Sequence, residues 1–145
     1  MTLKGQFKPT NRAKYAGKHY PIYRSGWERK VMSYLDRHPD VLQWASEATV
    51  VPYVSPVDGK RHRYYVDFTV KVKDSEGNIK VELWEVKPLA QTKPPKATKM
   101  KGKPTKRYIT ETVTYAINQA KWDAARKYSE AAGWTFRVIT EREIF

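Results

Sequence analysis

Trp27, Val31 and Leu35, joined by Tyr34, recur at helical spacing behind Ser25-Gly26-Trp27-Glu28, which fits a capping box with Ser25 as N-cap and Glu28 at N3. Pro39 disfavours helical geometry at His38, so a first helix is expected over about residues 25–38. Residues 41–54, VLQWASEATVVPYV, are rich in β-formers and broken by Pro52, fitting one bent strand or two short ones. The Asp58-Gly59 pair then signals a hairpin. Through residues 61–73, Tyr64, Val66, Phe68, Val70 and Val72 alternate onto one face, leaving Tyr65, Asp67, Thr69 and Lys71 on the other. A turn over residues 74–78 leads into IKVELWEVK, residues 79–87, where the face of Ile79, Val81 and Leu83 continues as Glu85 and Lys87. An apolar face that ends in two charges breaks the local rule, and such breaks mark functional sites.

Residues 108–132 read as the longest helix, with Ile109, Val113, Ile117, Ala120 and Ala124 as its buried stripe and Gly133 as its cap. WTFRVIT, residues 134–140, reads as a last strand, and EREIF as a final turn. The strand–helix–strand unit from residue 79 to 140 should make its two strands parallel. The expected class is α/β, a mixed β-sheet flanked by helices in the order α-β-β-β-α-β, with one helix on each side.

Composition narrows what such a domain can do. The 145 residues suit one domain, and a 40% hydrophobic share with five Trp and ten Tyr is too rich for a disordered tail. The absence of Cys excludes disulfides, thiolate-ligated metals and cysteine nucleophiles. No apolar run is long enough to span a membrane, and no signal-like segment opens the chain. The net charge of +13 points to a polyanion, most simply nucleic acid.

The charge is uneven. Residues 1–23 carry five cations and no acid, and residues 93–107 carry seven cations, three Pro, one Gly and no acid. Both read as arms or long loops. The organisation expected is a basic N-terminal arm over 1–24, then a domain over 25–145 with a basic loop at 88–107. The loop cations Lys93, Lys96, Lys99, Lys101, Lys103, Lys106 and Arg107 are candidate DNA-phosphate contacts.

Four residues invite a chemical question: Glu28, Asp67, Glu85 and Lys87. Glu85 and Lys87 leave the same face of a strand about 7 Å apart. If Asp67 lies on the neighbouring strand, its carboxylate reaches Glu85 across the ladder. Unpaired carboxylates about 4 Å apart repel by roughly 4 kcal/mol at an effective dielectric of 20. Three carboxylates and one ammonium leave an excess that a divalent cation would balance, and hard oxygen donors favour Mg²⁺ or Mn²⁺ over zinc. Against this, Glu28 is explained as a cap, Asp67 as a partner of Lys71 or of water, and Glu85 with Lys87 as a same-face ion pair.

The order YVDF, then WEVKP, with a helical Glu upstream in YRSGWERK, resembles the signature of the PD-(D/E)XK nucleases. Within them the chain is similar to the TnsA-like endonucleases and to phage junction-resolving endonucleases, and most closely to the head completion nucleases of tailed bacteriophages. The match runs over nearly the whole chain, through WASE, VPY, QTKPPK, NQAKWDAAR and the closing FRVITE. Val66 stands where a Pro often precedes the Asp. The resemblance implies a restriction-endonuclease-like fold and a Mg²⁺-dependent endodeoxyribonuclease, with Mn²⁺ able to substitute. It implies metal ligands at Asp67, Glu85 and the Val86 carbonyl, with Lys87 orienting or deprotonating the attacking water, Glu28 completing or tuning a second metal position, and Gln119 and Lys121 as second-tier DNA-phosphate contacts. It further implies action on packaged double-stranded or branched DNA before tail attachment, in the host cytoplasm or on the virion, beside capsid or portal components. A junction resolvase, a transposon-end cutter and a non-enzymatic basic DNA-binding structural protein are the alternatives.

Overall fold

The computed structural model describes residues 4–144; the first three residues of the basic arm and Phe145 of the closing turn lie outside them. The elements in chain order are β1 (Gly5–Gln6), β2 (Ile22–Tyr23), α1 (Gly26–Arg37), β3 (Val41–Ser46), β4 (Val50–Val54), β5 (Arg61–Tyr65), β6 (Phe68–Lys73), β7 (Ile79–Val86), β8 (Lys99–Met100), β9 (Lys103–Pro104), α2 (Lys106–Ala132), β10 (Thr135–Ile139) and α3 (Glu141–Ile144). Short 3₁₀ turns occupy Arg12–Lys14 and Leu89–Thr92.

The central sheet has the order β10-β7-β6-β3, with β10 parallel to β7 and the other two pairings antiparallel. A parallel neighbour requires a crossover, and α2 supplies it. Strand β7 is therefore covered on both faces. On one side, Trp84 and Val86 join Val31, Met32 and Leu35 of α1 with Trp44, Phe68, Val70 and Ile139. On the other, Leu83 packs with Val51, Tyr64, Val66 and, from α2, Trp122 and Ala125. The mixed sheet with a helix on each side is as the sequence implies.

Helix α1 begins as its cap dictates: Ser25 is extended at φ −153°, and its hydroxyl accepts from Glu28 N–H at 3.1 Å. The segment before it packs onto the domain. Phe7, Tyr15 and Tyr23 lie against the α1-side core, and the buried Asp36 carboxylate accepts from Thr10 N–H at 2.9 Å and Asn11 N–H at 3.0 Å.

Four expectations need correction. The break in residues 41–54 falls at Glu47–Thr49, not at Pro52, which sits inside β4 on a two-stranded ribbon where its missing N–H is tolerated. Residues 61–73 are two strands, not one. Val66 N–H donates to Thr49 O at 3.1 Å and Glu47 N–H to Asp67 O at 3.0 Å, and between them the chain passes from the β4–β5 ribbon to the central sheet. The alternating residues are thereby shared between two cores, Tyr64 and Val66 on the α2 side and Phe68 and Val70 on the α1 side.

The buried stripe of α2 is Asn118, Trp122, Ala125 and Ser129, while Ile109 and Val113 are exposed. The helix meets the sheet only in its second half, so its first turns have no core to enter. Finally, the basic segment is not structureless: β8 and β9 form a hairpin within it, and Lys106 and Arg107 open α2. Gly133, left-handed at φ 75°, ends that helix as expected, its N–H bonded back to Glu130 O and Ser129 O.

Candidate active site

The passage from β5 to β6 places Asp67 beside the end of β7. Phe68 pairs with Trp84 in register, so Asp67 stands next to Glu85 one step further on. Its Oδ2 accepts from Val86 N–H at 2.8 Å, which fixes the carboxylate against the strand end. Lys87 follows directly, its N–H donating to Ile139 O at 2.9 Å, so its backbone is held by the parallel neighbour. Asp67, Glu85, Val86 and Lys87 are thus gathered by three strands.

The electrostatics of this corner are adverse. Burial, and then the charge of Glu85, push the Asp67 carboxyl well above the usual carboxylate range, against the opposing pull of the Val86 N–H and of Lys87. Glu85 itself is buried, and its Oε1 has no hydrogen-bond partner. Unpaired buried carboxylate oxygens are costly, and proteins retain them where a cation or a reaction uses them.

Glu28 belongs to the surroundings of this pair. Its Oε1 accepts from Arg24 N–H at 3.2 Å and its Oε2 from the Ser25 hydroxyl at 3.4 Å, so the carboxylate works as a cap. Burial and then the charge of Asp67 nevertheless raise its pKa. Among the described residues, no three His, Asp or Glu side chains stand together closely enough to hold a metal ion. Asp67 and Glu85 stand side by side at the strand end, while Glu28, bonded within its own cap, feels the charge of Asp67.

Two further neighbours escaped the pattern of the sequence. Glu47 adopts a left-handed backbone at φ 52°, uncommon outside glycine, and its carboxylate pairs with Arg24. Its N–H donates to the Asp67 carbonyl, so this left-handed residue fixes the backbone of Asp67. Tyr64, read as one apolar-face residue among several, carries a buried hydroxyl without a partner, as does the indole N–H of Trp122. Burial, and next the charge of Glu85, hold the Tyr64 phenol far above its ordinary value, so it stays protonated. A hydroxyl in mid-strand gives no signal by spacing.

A divalent cation fits this donor set. The carboxylates of Asp67 and Glu85, the orphaned Glu85 Oε1 and the adjoining Val86 carbonyl are hard oxygens, and Mg²⁺ takes one or two carboxylates with substrate phosphate and water filling the remainder.

The loop candidates lie on the surface. Lys93, Lys96, Lys99, Lys101, Lys103, Lys106 and Arg107 are all exposed, although Arg107 pairs with Glu111 at 2.7 Å. Lys93 and Arg107 line a groove of about 380 Å³ between the segment after β7 and the first half of α2. Lys121 is set closer to the acids, its ammonium 5.5 Å from the centre of the Tyr64 ring and 5.9 Å from that of Tyr53.

A mixed sheet whose strand ends present Asp and Glu-x-Lys on the flank of two helices is the framework of a nuclease, and the chain belongs to the TnsA-like endonucleases: the model of their N-terminal domain matches residues 38–141. The head completion nuclease of Enterobacteria phage T4 is 38% identical to it over 144 residues, 97% of this chain and 93% of that protein. Among the described residues no helix is long and apolar enough to cross a membrane.

Proposed function

We propose that this protein is a Mg²⁺-dependent DNA endonuclease acting in completion of the phage head, on packaged double-stranded or branched DNA before the tail joins, in the host cytoplasm or on the virion beside capsid or portal components. The observation that carries the chemistry is that Asp67 stands against Glu85 at the strand end and that Glu85 Oε1 is buried without a partner. The assembly role is supported by the printed name of the phage T4 relative and the near-complete coverage of both chains.

Asp67, Glu85 and the Val86 carbonyl would hold the ion. When bound, a divalent ion supplies Lewis acidity at the scissile phosphate and lowers the pKa of water. The Val86 N–H bond fixes the Asp67 carboxylate at the end of the strand that carries Glu85. Lys87, two residues beyond Glu85, orients the attacking water and donates to phosphoryl oxygens as charge builds on them. Glu28 tunes the field at Asp67 from the start of α1. The loop cations, with Lys121, clamp the DNA backbone.

Purified protein given linear duplex, supercoiled plasmid and a four-way junction in Mg²⁺ or Mn²⁺ tests this reading. Metal-dependent cleavage is expected, and a junction-only product would move the protein to the resolvases. Binding without cleavage on every substrate would leave a DNA-binding structural protein and end the proposal. If six of the loop and arm cations touch phosphates, log K falls with log salt at a slope of about −5 on duplex DNA. A slope near zero would remove the electrostatic clamp.

A further inference from the structure

The basic segment ends in a ribbon of definite shape. Lys99–Met100 pairs with Lys103–Pro104 across a two-residue turn, Lys101 at φ 55° and Gly102 at φ 76°. Positive φ at both central positions is the geometry that matches strand twist in a tight hairpin. So short a ribbon is marginal alone. This one is clamped at its base: Thr105 N–H donates to Thr98 O at 3.0 Å, and the two threonine hydroxyls are 2.6 Å apart. Thr105 is also the N-cap of α2, its hydroxyl accepting from Tyr108 N–H at 3.1 Å. The ribbon is therefore fastened to the end of a 27-residue helix.

At its tip stands Met100, 69% exposed, the most exposed large hydrophobic side chain among the described residues. It faces water opposite Lys103, between Lys99 and Lys101, and no acid occurs from residue 88 to residue 110. An apolar side chain at a cationic tip has a surface to cover it only if the partner is both anionic and able to receive an apolar group. DNA is both, with phosphates outside and stacked bases within. A two-stranded ribbon can enter the major or the minor groove, and Met is among the side chains that minor-groove proteins wedge between base steps to unstack them.

We propose that the β8–β9 ribbon enters a groove of the substrate DNA and that Met100 wedges between bases there, its lysines neutralising the flanking phosphates. Unstacking is easiest where pairing is already broken, so the wedge biases the protein toward frayed, branched or otherwise distorted DNA. The inference rests on the nuclease reading for its substrate class and adds the residue that senses DNA structure.

The test uses the full chain without divalent metal and DNA carrying aminopurine at successive positions, both as duplex and as a fork. Wild type is expected to raise aminopurine emission at a position near the fork. Met100→Ala loses that rise while its affinity falls by no more than about threefold, because phosphate contacts carry most of the binding. Met100→Leu restores the rise. An equal rise with Met100→Ala, or none with wild type, overturns the wedge. So does Met100-dependent binding to phosphatidylserine vesicles with no response from DNA, which would assign the tip to a membrane surface. Cleavage of the same DNA by wild type in Mg²⁺ is followed in parallel. Cleavage without unstacking sinks the wedge and leaves the nuclease, whereas Met100-dependent unstacking without cleavage does the reverse.

Discussion

Lys87→Ala cleaves DNA about 10²–10⁴-fold more slowly than wild type, the range over which a positioned proton donor or acceptor accelerates a reaction. Its affinity for uncleaved DNA stays close to that of wild type, because one cation of 28 is lost and the basic loop proposed to meet the phosphates is untouched. The backbone at position 87 is held by Ile139 O whatever the side chain, so the fold tolerates the change. Single-turnover cleavage beside equilibrium binding on the same DNA separates the two effects. Undiminished nuclease activity in purified Lys87→Ala would remove Lys87 from the chemistry.

Asp67→Asn is the second large effect, and it acts in opposite directions on activity and stability. An asparagine keeps an oxygen to accept from Val86 N–H and offers Glu85 an amide N–H in place of a charge. Cleavage should fall below detection, and metal-free protein should melt at least roughly 3 °C higher, the shift that about 1 kcal/mol produces in a domain of this size. DNA affinity should hold or rise, since a negative charge leaves the site.

The same carboxyl sets a pH dependence. Asp67 and Glu28 have folded pKa values above their ordinary 3.8 and 4.5. Each therefore holds its proton more tightly in the folded state than in the unfolded one. Stability without metal is greatest at low pH on their account, declines as pH rises from those ordinary values through the raised folded ones, and is flat beyond. Asp67→Asn should make that decline shallower in a series of thermal melts. A decline of equal steepness would contradict the assigned burial and repulsion.

Much of this corner is legible in the residues themselves. Ser25 and Glu28 announce the start of α1, Asp58-Gly59 marks the hairpin, and the charged end of IKVELWEVK marks the strand that carries Glu85. Those signals are local, and local geometry decided them. The passage at Val66–Asp67 is not legible, because alternation runs unbroken through it and only Thr49 and Glu47, far earlier in the chain, turn the strand aside. Ile109 and Val113 mislead for a related reason: helical spacing reports a face but cannot say how far the sheet beneath extends. Tyr64 and Trp122 carry polar atoms that matter only because the fold buries them together near Glu85, and Glu47 is marked by a backbone angle that no side chain reveals. The ribbon at Lys99–Pro104 hides among lysines with little strand preference, its one cue being the Lys101-Gly102 turn.

The proposed chemistry requires Asp67 and Glu85 to share a divalent cation. Thermal melts of DNA-free protein across a Mn²⁺ titration near neutral pH test it most directly, because an ion bound only by the folded state raises Tm in a saturable way. Such a rise is expected for wild type, and its loss in Glu85→Gln. A wild type whose Tm ignores Mn²⁺, or a Glu85→Gln variant that responds as wild type does, would contradict it.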